Sequence, residues 1–403
     1  MGDSAIKYPW PVRAEVWDRW LWIFAVVFAV MDFVSISIAQ TAAAGMVICW
    51  TARHAAGRTL PDLSPLKRPI GAFVIVSLLA ALFSVNVKES LIDSKDLSHF
   101  LIFFVMFDYL SRRREKIRPA LLAVAAGGAI AAFMGLYQAA MRGIDIHNRI
   151  SGFQDIYMTF AGLLMLAAVV ATAIFIFNGA AWRGVALAGA AVMTAAIFLS
   201  LTRNAVMGLG AGLAVIIALR KPAWLVILPL LASAVFILSP SGVRNRVSSI
   251  ADLGDETTRE RFHLWSAGVK IILDHPVLGV GQNSFPLVYP SYRSAQVKEP
   301  NISHLHNNFL ELGAERGLAG LGVWTWMWAA AFWLTLKGWK SPVERGLRAA
   351  RAAGIGAITA FMAAGVFEYN FGASVIQMLM YYIVAAGLAA SHEGNNSKDT
   401  VLA

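Results

Sequence analysis

Apolar runs of about 17–25 residues, each long enough to cross ~30 Å of hydrocarbon, recur along this chain almost from end to end. A backbone inside a bilayer finds no water to bond, so runs of this length restrict the chain to helices. Composition agrees: 58% hydrophobic and 14% charged residues, with mean hydropathy +0.61 over 403 residues, exclude a soluble domain. The expected fold class is all-α, a polytopic integral membrane protein. The runs predict about twelve helices, at roughly 20–36, 38–53, 69–86, 97–111, 119–139, 156–178, 184–201, 205–220, 222–239, 307–336, 350–367 and 371–391. No cleavable signal is expected, because charges spread from Lys7 to Arg19 and a full-length span follows without an A-x-A site. Cys49 is the single cysteine and lies in an apolar run, which excludes a disulfide framework and a thiolate metal site.

Lysine and arginine set the orientation. Lys7, Arg13 and Arg19, the Arg53–Arg68 group, the Arg112–Arg118 group, Arg183, Arg220 with Lys221, and the Lys337–Arg351 group all fall on one side, in short connections. Positive residues in short loops mark the cytoplasm, so both termini are expected inside. The opposite connections are expected to be short except 240–306, a polar segment of about 65 residues, and loops this long usually carry function. The chain thus divides into a nine-helix membrane region (1–239), a periplasmic loop (240–306) and a three-helix membrane region with a cytoplasmic tail (307–403). Inside the loop, Phe262, Trp265, Val269, Ile272 and Leu273 recur at helical spacing, which predicts an amphipathic helix over Thr257–Leu273, lying near the membrane surface. Asp274-His275-Pro276 should end it, and Gly279-Val280-Gly281 should turn the chain. That glycine pair is no nucleotide fingerprint, since no strand precedes it.

The chemistry-bearing residues gather on the outer side. His304-Leu305-His306-Asn307-Asn308 runs directly into an apolar helix, placing an imidazole and two amides at its water-facing lip. Buried polar groups cost several kcal/mol when unpaired, so a position like this points to use. With a helix beginning near Ser303 as N-cap, His306, Gly313, Gly317 and Gly320 would share one stripe, opposite His304, Asn308, Glu311 and Glu315. A helix N-terminus favours a neutral imidazole and a nearby anion such as phosphate. The plainer reading is a capped interfacial helix. Arg203, at the turn before a glycine-containing helix, Arg261, four residues before Trp265 on one helix face, and Arg149, near Gly152, offer guanidinium forks that suit a diphosphate. An ordinary headgroup contact is the alternative for each. Asp32, Asp108, Glu311, Glu315 and Arg316 are further charges at membrane depth, the last two read as a local pair.

These elements resemble the bacterial O-antigen ligase/polymerase superfamily. His306-Asn307 is followed by nine residues and then Gly317 and Gly320; Arg261-Phe262-His263-Leu264-Trp265 is followed by His275-Pro276-Val277-Leu278-Gly279-Val280-Gly281; Arg203 stands at an outer turn. Glu368-Tyr369, between the last two helices, resembles a less distinctive acidic position of these enzymes. The resemblance implies a GT-C-like fold in the bacterial inner membrane with a periplasmic site, and an inverting glycosyltransferase of the O-antigen ligase type. The donor would be a glycan on undecaprenyl diphosphate and the acceptor a sugar hydroxyl of lipid A–core, held among membrane lipids. His306 would act as base, with Arg203 and Arg261 on the leaving diphosphate. Arg149, Asn307, Asn308, His304, Trp265, Glu368 and Tyr369 would bind substrate.

Other readings stay open. A polymerase or a protein-glycosylating transferase of the same superfamily would use similar residues, and a polysaccharide or lipid transporter would also be polytopic and basic. The transporter should show paired broken helices or repeats and polar groups at the midplane, whereas the polar clusters here lie at the surface. His147, His263, His275, His304 and His306 all lie outside, but helical residues two apart point about 200° apart, so His304 and His306 should not share an ion. No Asp-x-Asp pair occurs. No metal, no cofactor and no nucleic-acid partner are expected.

Overall fold

In the computed structural model, the described residues are 14–143, 149–226, 256–294 and 302–392, with isolated positions between 229 and 237. Outside them lie most of the span expected at 222–239, residues 240–255 and 295–301 of the long loop, His147 and the polar tail. No strand occurs among the described residues. The helices are α1 (Ala14–Met31), α2 (Ile36–Gly57), α3 (Lys67–Leu82), α4 (Val87–Asp93), α5 (Phe100–Arg112), α6 (Ile117–Arg142), α7 (Tyr157–Phe177), α8 (Ala180–Leu199), α9 (Arg203–Arg220), α10 (Glu256–Asp274), α11 (Phe285–Tyr292), α12 (Asn308–Leu336), α13 (Arg345–Ala364) and α14 (Ser374–Ser391). Among the described residues, six stretches are long and apolar enough to cross a membrane: Arg114–Arg142, Tyr157–Phe177, Trp182–Leu199, Arg203–Arg220, Asn308–Leu336 and Ser374–Ser391. The chain is a membrane protein built from helices.

Helices α7 and α14 are the centre of the bundle. Their apolar windows are 83% and 89% buried, because both are hydrophobic all round and so gain by packing on every face. Around them, helix approach is set by small residues. A Cβ at Gly208 of α9 would come within 2.7 Å of the Ala360 carbonyl of α13, and one at Gly212 within 2.9 Å of the Gly356 carbonyl, whereas Gly210 faces open space. The i, i+4 pair thus seats α9 against α13. That contact fixes where Arg203, the first residue of α9, stands relative to the turn that follows α13.

At the end assigned to the cytoplasm, two buried aspartates tie the first helices together. Asp108 of α5 accepts from Trp50 Nε1 (3.1 Å), Arg112 Nε (3.1 Å) and the Asp62 backbone N–H (2.8 Å), and meets His54 Nε2 at 2.9 Å. Asp18 of α1 pairs with Arg53 (2.5 Å) and Arg113 (3.0 Å). Buried carboxylates so well satisfied cement the scaffold. Asp32, at the opposite end of α1, is fully buried with neither oxygen bonded.

Helix α12 departs from the continuous helix expected from Ser303. It begins at Asn308, with Asn307 rather than Ser303 as N-cap, and it breaks at Gly317, where φ is 63° and ψ is −175°. A left-handed residue cannot continue the ladder, so amides and carbonyls on both sides lose their partners. The His275–Gly281 turn takes them up. Leu318 N–H donates to Pro276 O (2.7 Å), Ala319 N–H to Val277 O (3.4 Å), Val280 N–H to Ala314 O (2.9 Å) and Gly281 N–H to Glu315 O (2.9 Å). The His-Pro-x-x-Gly-x-Gly segment is therefore a plug for a broken helix, which locks the outer loop onto α12.

Candidate functional site

The site is built around Leu305, which is fully buried among Leu264, Ala267 and Ile271 of α10, Phe285 and Tyr289 of α11, Val280 and Ala314. Both of its backbone polar groups are held. Its N–H donates to Glu311 Oε2 (2.5 Å), and its carbonyl accepts from Trp265 Nε1 (3.1 Å). With Leu305 anchored, His304 and His306 flank it on a turn rather than a helix. His306 is left-handed, at φ 48°, and its N–H donates to His304 Nδ1 (3.3 Å). The two rings stand 4.2 Å apart between centroids, not on opposite helix faces as a helix from Ser303 would place them. A non-glycine residue in this conformation is held by its surroundings, and such strain clusters at working sites.

The turn after α13 is fastened to this loop by the two asparagines. Asn307 Oδ1 accepts from Phe309 N–H (2.8 Å) and Leu310 N–H (3.1 Å), while its Nδ2 donates to Val366 O (2.9 Å). Asn308 donates from Nδ2 to Asn370 Oδ1 (2.5 Å), accepts from Phe371 N–H (3.0 Å), and gives its own N–H to Gly365 O (2.7 Å). Both amides are engaged in joining residues 365–371 to the histidine turn. Trp265 likewise supports Leu305 and packs on Phe367, with ring centroids 6.0 Å apart.

That clasp presents Glu368 to His306. The Nδ1 of His306 lies 3.0 Å from Glu368 Oε1 and 3.2 Å from Oε2. An ionised carboxylate only accepts, so Nδ1–H donates and the Nε2 lone pair is left to take a proton. Burial pulls the Glu368 carboxyl upward, but the bond from His306, the charge that either histidine carries when protonated, and the charge of Arg261 outweigh it, leaving it below the usual carboxylate value. His304 is pushed down to about 4, first by burial and then by His306. At neutral pH it is therefore an uncharged ring. Its other neighbour is Tyr369, 5.8 Å away between centroids.

Arginines complete the corner. Arg261 Nη2 lies 4.0 Å from Glu368 Oε2. Burial lowers the pKa of Arg261, Glu368 offsets this, and the like charge of neighbouring Arg203 and the nearby Tyr157 also register there. Arg149 stacks its guanidinium 4.4 Å over the Tyr157 ring, so it approaches the same corner through that ring. His306, Glu368, Arg261, Arg203 and Arg149 thus come from five separate segments to one region. Three residues of it, His304, His306 and Glu368, each offer a ligand atom within 4.8 Å of the others.

Beside this corner opens a cavity of about 500 Å³ whose wall includes His304, Glu368, Asn204 and Arg316. Sequence reasoning missed half of its acids: Asp93 and Asp96 from the segment between α3 and α5, and Asp155 before α7, join Glu311, Glu315 and Glu368 there. The cue was the polar stretch Asn86–Ser98, too charged to be a plain turn. Glu315 and Arg316 do form the local pair, at 3.0 Å.

No curated protein matches this chain. The O-antigen ligase family model matches residues 188–325, a stretch that contains Arg203, Arg261, the His275–Gly281 plug and His306-Asn307 through Gly320. Over that stretch, about a third of its length, the chain is similar to the O-antigen ligase family.

Proposed function

We propose that this chain is an inverting glycosyltransferase of the O-antigen ligase type, working at the periplasmic face of the bacterial inner membrane. It takes glycan from undecaprenyl diphosphate to a sugar hydroxyl of lipid A–core. One observation carries the reading. Within hydrogen-bond reach of a single buried carboxylate, Glu368, stands an imidazole with its Nε2 left to accept a proton; Arg261 lies 4.0 Å from the same carboxylate, and the charge of Arg203 is felt at Arg261.

The acceptor hydroxyl gives its proton to His306 Nε2 as its oxygen attacks the anomeric carbon. The bond from that carbon to the diphosphate oxygen breaks on the opposite face, inverting the centre. Glu368 holds the imidazole in the right tautomer and balances the imidazolium that forms, the part a buried carboxylate plays beside any histidine base. Arg203 and Arg261 meet the charge gathering on the departing diphosphate, and preorganised charge of this kind is commonly worth about 10²–10³ in rate per group. Because guanidinium takes the place of a divalent ion's charge, the reaction runs without metal.

Reconstitution tests this directly. Purified protein with lipid-linked glycan and lipid A–core should yield glycan joined to core, at the same rate with chelator present. Carrier-linked glycan that merely lengthens, with no core product, would replace the ligase with a polymerase; dependence on a divalent ion would remove the arginines from their role.

A further inference from the structure

Two imidazoles and a carboxylate that converge at a catalytic corner are also the donor set of a transition-metal site. One ligand atom from each of His304, His306 and Glu368 already lies within 4.8 Å of the others. Tetrahedral zinc with nitrogen and oxygen ligands at ~2.0–2.2 Å spaces neighbouring ligand atoms by roughly 3.3–3.5 Å, so closure needs side-chain adjustment of about an ångström and no backbone change. The objection that residues two apart on a helix diverge does not apply, since both histidines precede α12 and their rings stand 4.2 Å apart.

We propose that His304, His306 and Glu368 bind a borderline-soft divalent cation such as Zn²⁺, and that the bound ion blocks glycan transfer. Three protein ligands leave a fourth position open to water, unlike the closed four-ligand set of structural zinc. Imidazole-rich sets favour Zn²⁺ over Mg²⁺ or Ca²⁺, which require oxygen. Arg261, 4.0 Å from Glu368, competes for the carboxylate and repels the ion, so the site is a reversible one. The blocking half rests on the base role of His306 proposed above: a histidine whose lone pair is held by metal takes no proton. The binding half does not depend on it.

The test uses the purified full chain in detergent and Zn²⁺ alone. Calorimetry should show one ion per chain, with affinity reduced more than about 10-fold in His304→Ala and in His306→Ala, since even an outer-shell partner is worth ~10–100-fold. Co²⁺ bound to the unsubstituted protein should show the visible absorption of four-coordinate nitrogen and oxygen ligation, a readout independent of any variant's folding. Zn²⁺ should stop transfer at the concentration that half-fills the site, while Mg²⁺ should not. Affinity unchanged from the parent in either variant, or a six-coordinate Co²⁺ spectrum, would overturn the site while leaving the base role of His306 untouched. Binding as expected with transfer undiminished would overturn the blocking half and the base assignment together, and leave the cation site standing.

Discussion

Replacing His306 with alanine lowers glycan transfer by about 10²–10⁴-fold, the usual contribution of a positioned general base. The effect should fall on the rate at saturating substrate, because in the proposed mechanism Arg203 and Arg261 would still hold the diphosphate. Binding of the lipid-linked donor, followed by its own affinity measurement, should change little. Glu368→Gln is expected to lose most activity as well, for a different reason. A carboxylate can only accept from Nδ1, but a side-chain amide can donate to it and leave the proton on Nε2, which then has no lone pair to offer. A variant of either residue that transfers glycan near the parent rate would remove that residue from the reaction.

Gly317→Ala should be among the most damaging changes outside the reacting groups. At φ 63° an L-residue is strained, and a Cβ there would overlap the Val277 carbonyl in the His275–Gly281 plug. Taking ~1–3 kcal/mol for the backbone and a similar amount for overpacking, the loss is roughly 2–6 kcal/mol. The consequence reaches function because the plug holds the outer loop on α12, and through α10 that loop seats Leu305 between the two histidines. The thermal unfolding midpoint in detergent should drop and transfer should fail with it. Gly210→Ala, with nothing within 4 Å of its Cβ, is the matched control and should leave both unchanged. A Gly317→Ala protein as stable as its parent would show that the plug does not depend on the break.

Much of this was legible from residue order, for identifiable reasons. Of the twelve expected spans, six are long and apolar enough among the described residues to cross a membrane, and hydropathy found these because membrane burial acts on whole runs of twenty residues, too long to be overridden by one neighbour. The amphipathic helix predicted over Thr257–Leu273 is found as Glu256–Asp274, since its apolar face repeats at the helical period. Arg203, Arg261 and His306 stood out from their place in the sequence and Glu368 only from the family resemblance; His306 and Arg261 both approach Glu368, and the charge of Arg203 reaches Arg261.

What was not legible depends on partners distant in sequence. Ser303 and Asn307 are both acceptable N-caps, and the choice between them is made by burial of Leu305 against α10 and α11, which pulls the histidines out of the helix. Gly317 looked like one of a stripe of packing glycines; only the amides and carbonyls of the plug reveal it as a break. Asn307 and Asn308 looked like groups for substrate, whereas their amides are spent on the turn that carries Glu368. Asp93 and Asp96 lie on one segment and Asp155 on another, and no local pattern announces that they line one cavity with Glu311 and Glu315.

The claim on which the mechanism stands is that His306 and Arg261 act at one reacting centre. A double-mutant cycle in single-turnover transfer, with His306→Ala, Arg261→Ala and the pair, measures this most directly. Groups that act as a unit give strongly non-additive losses, so the double variant should be scarcely slower than the worse single one. Losses that multiply, as for two independent sites, would contradict a shared centre.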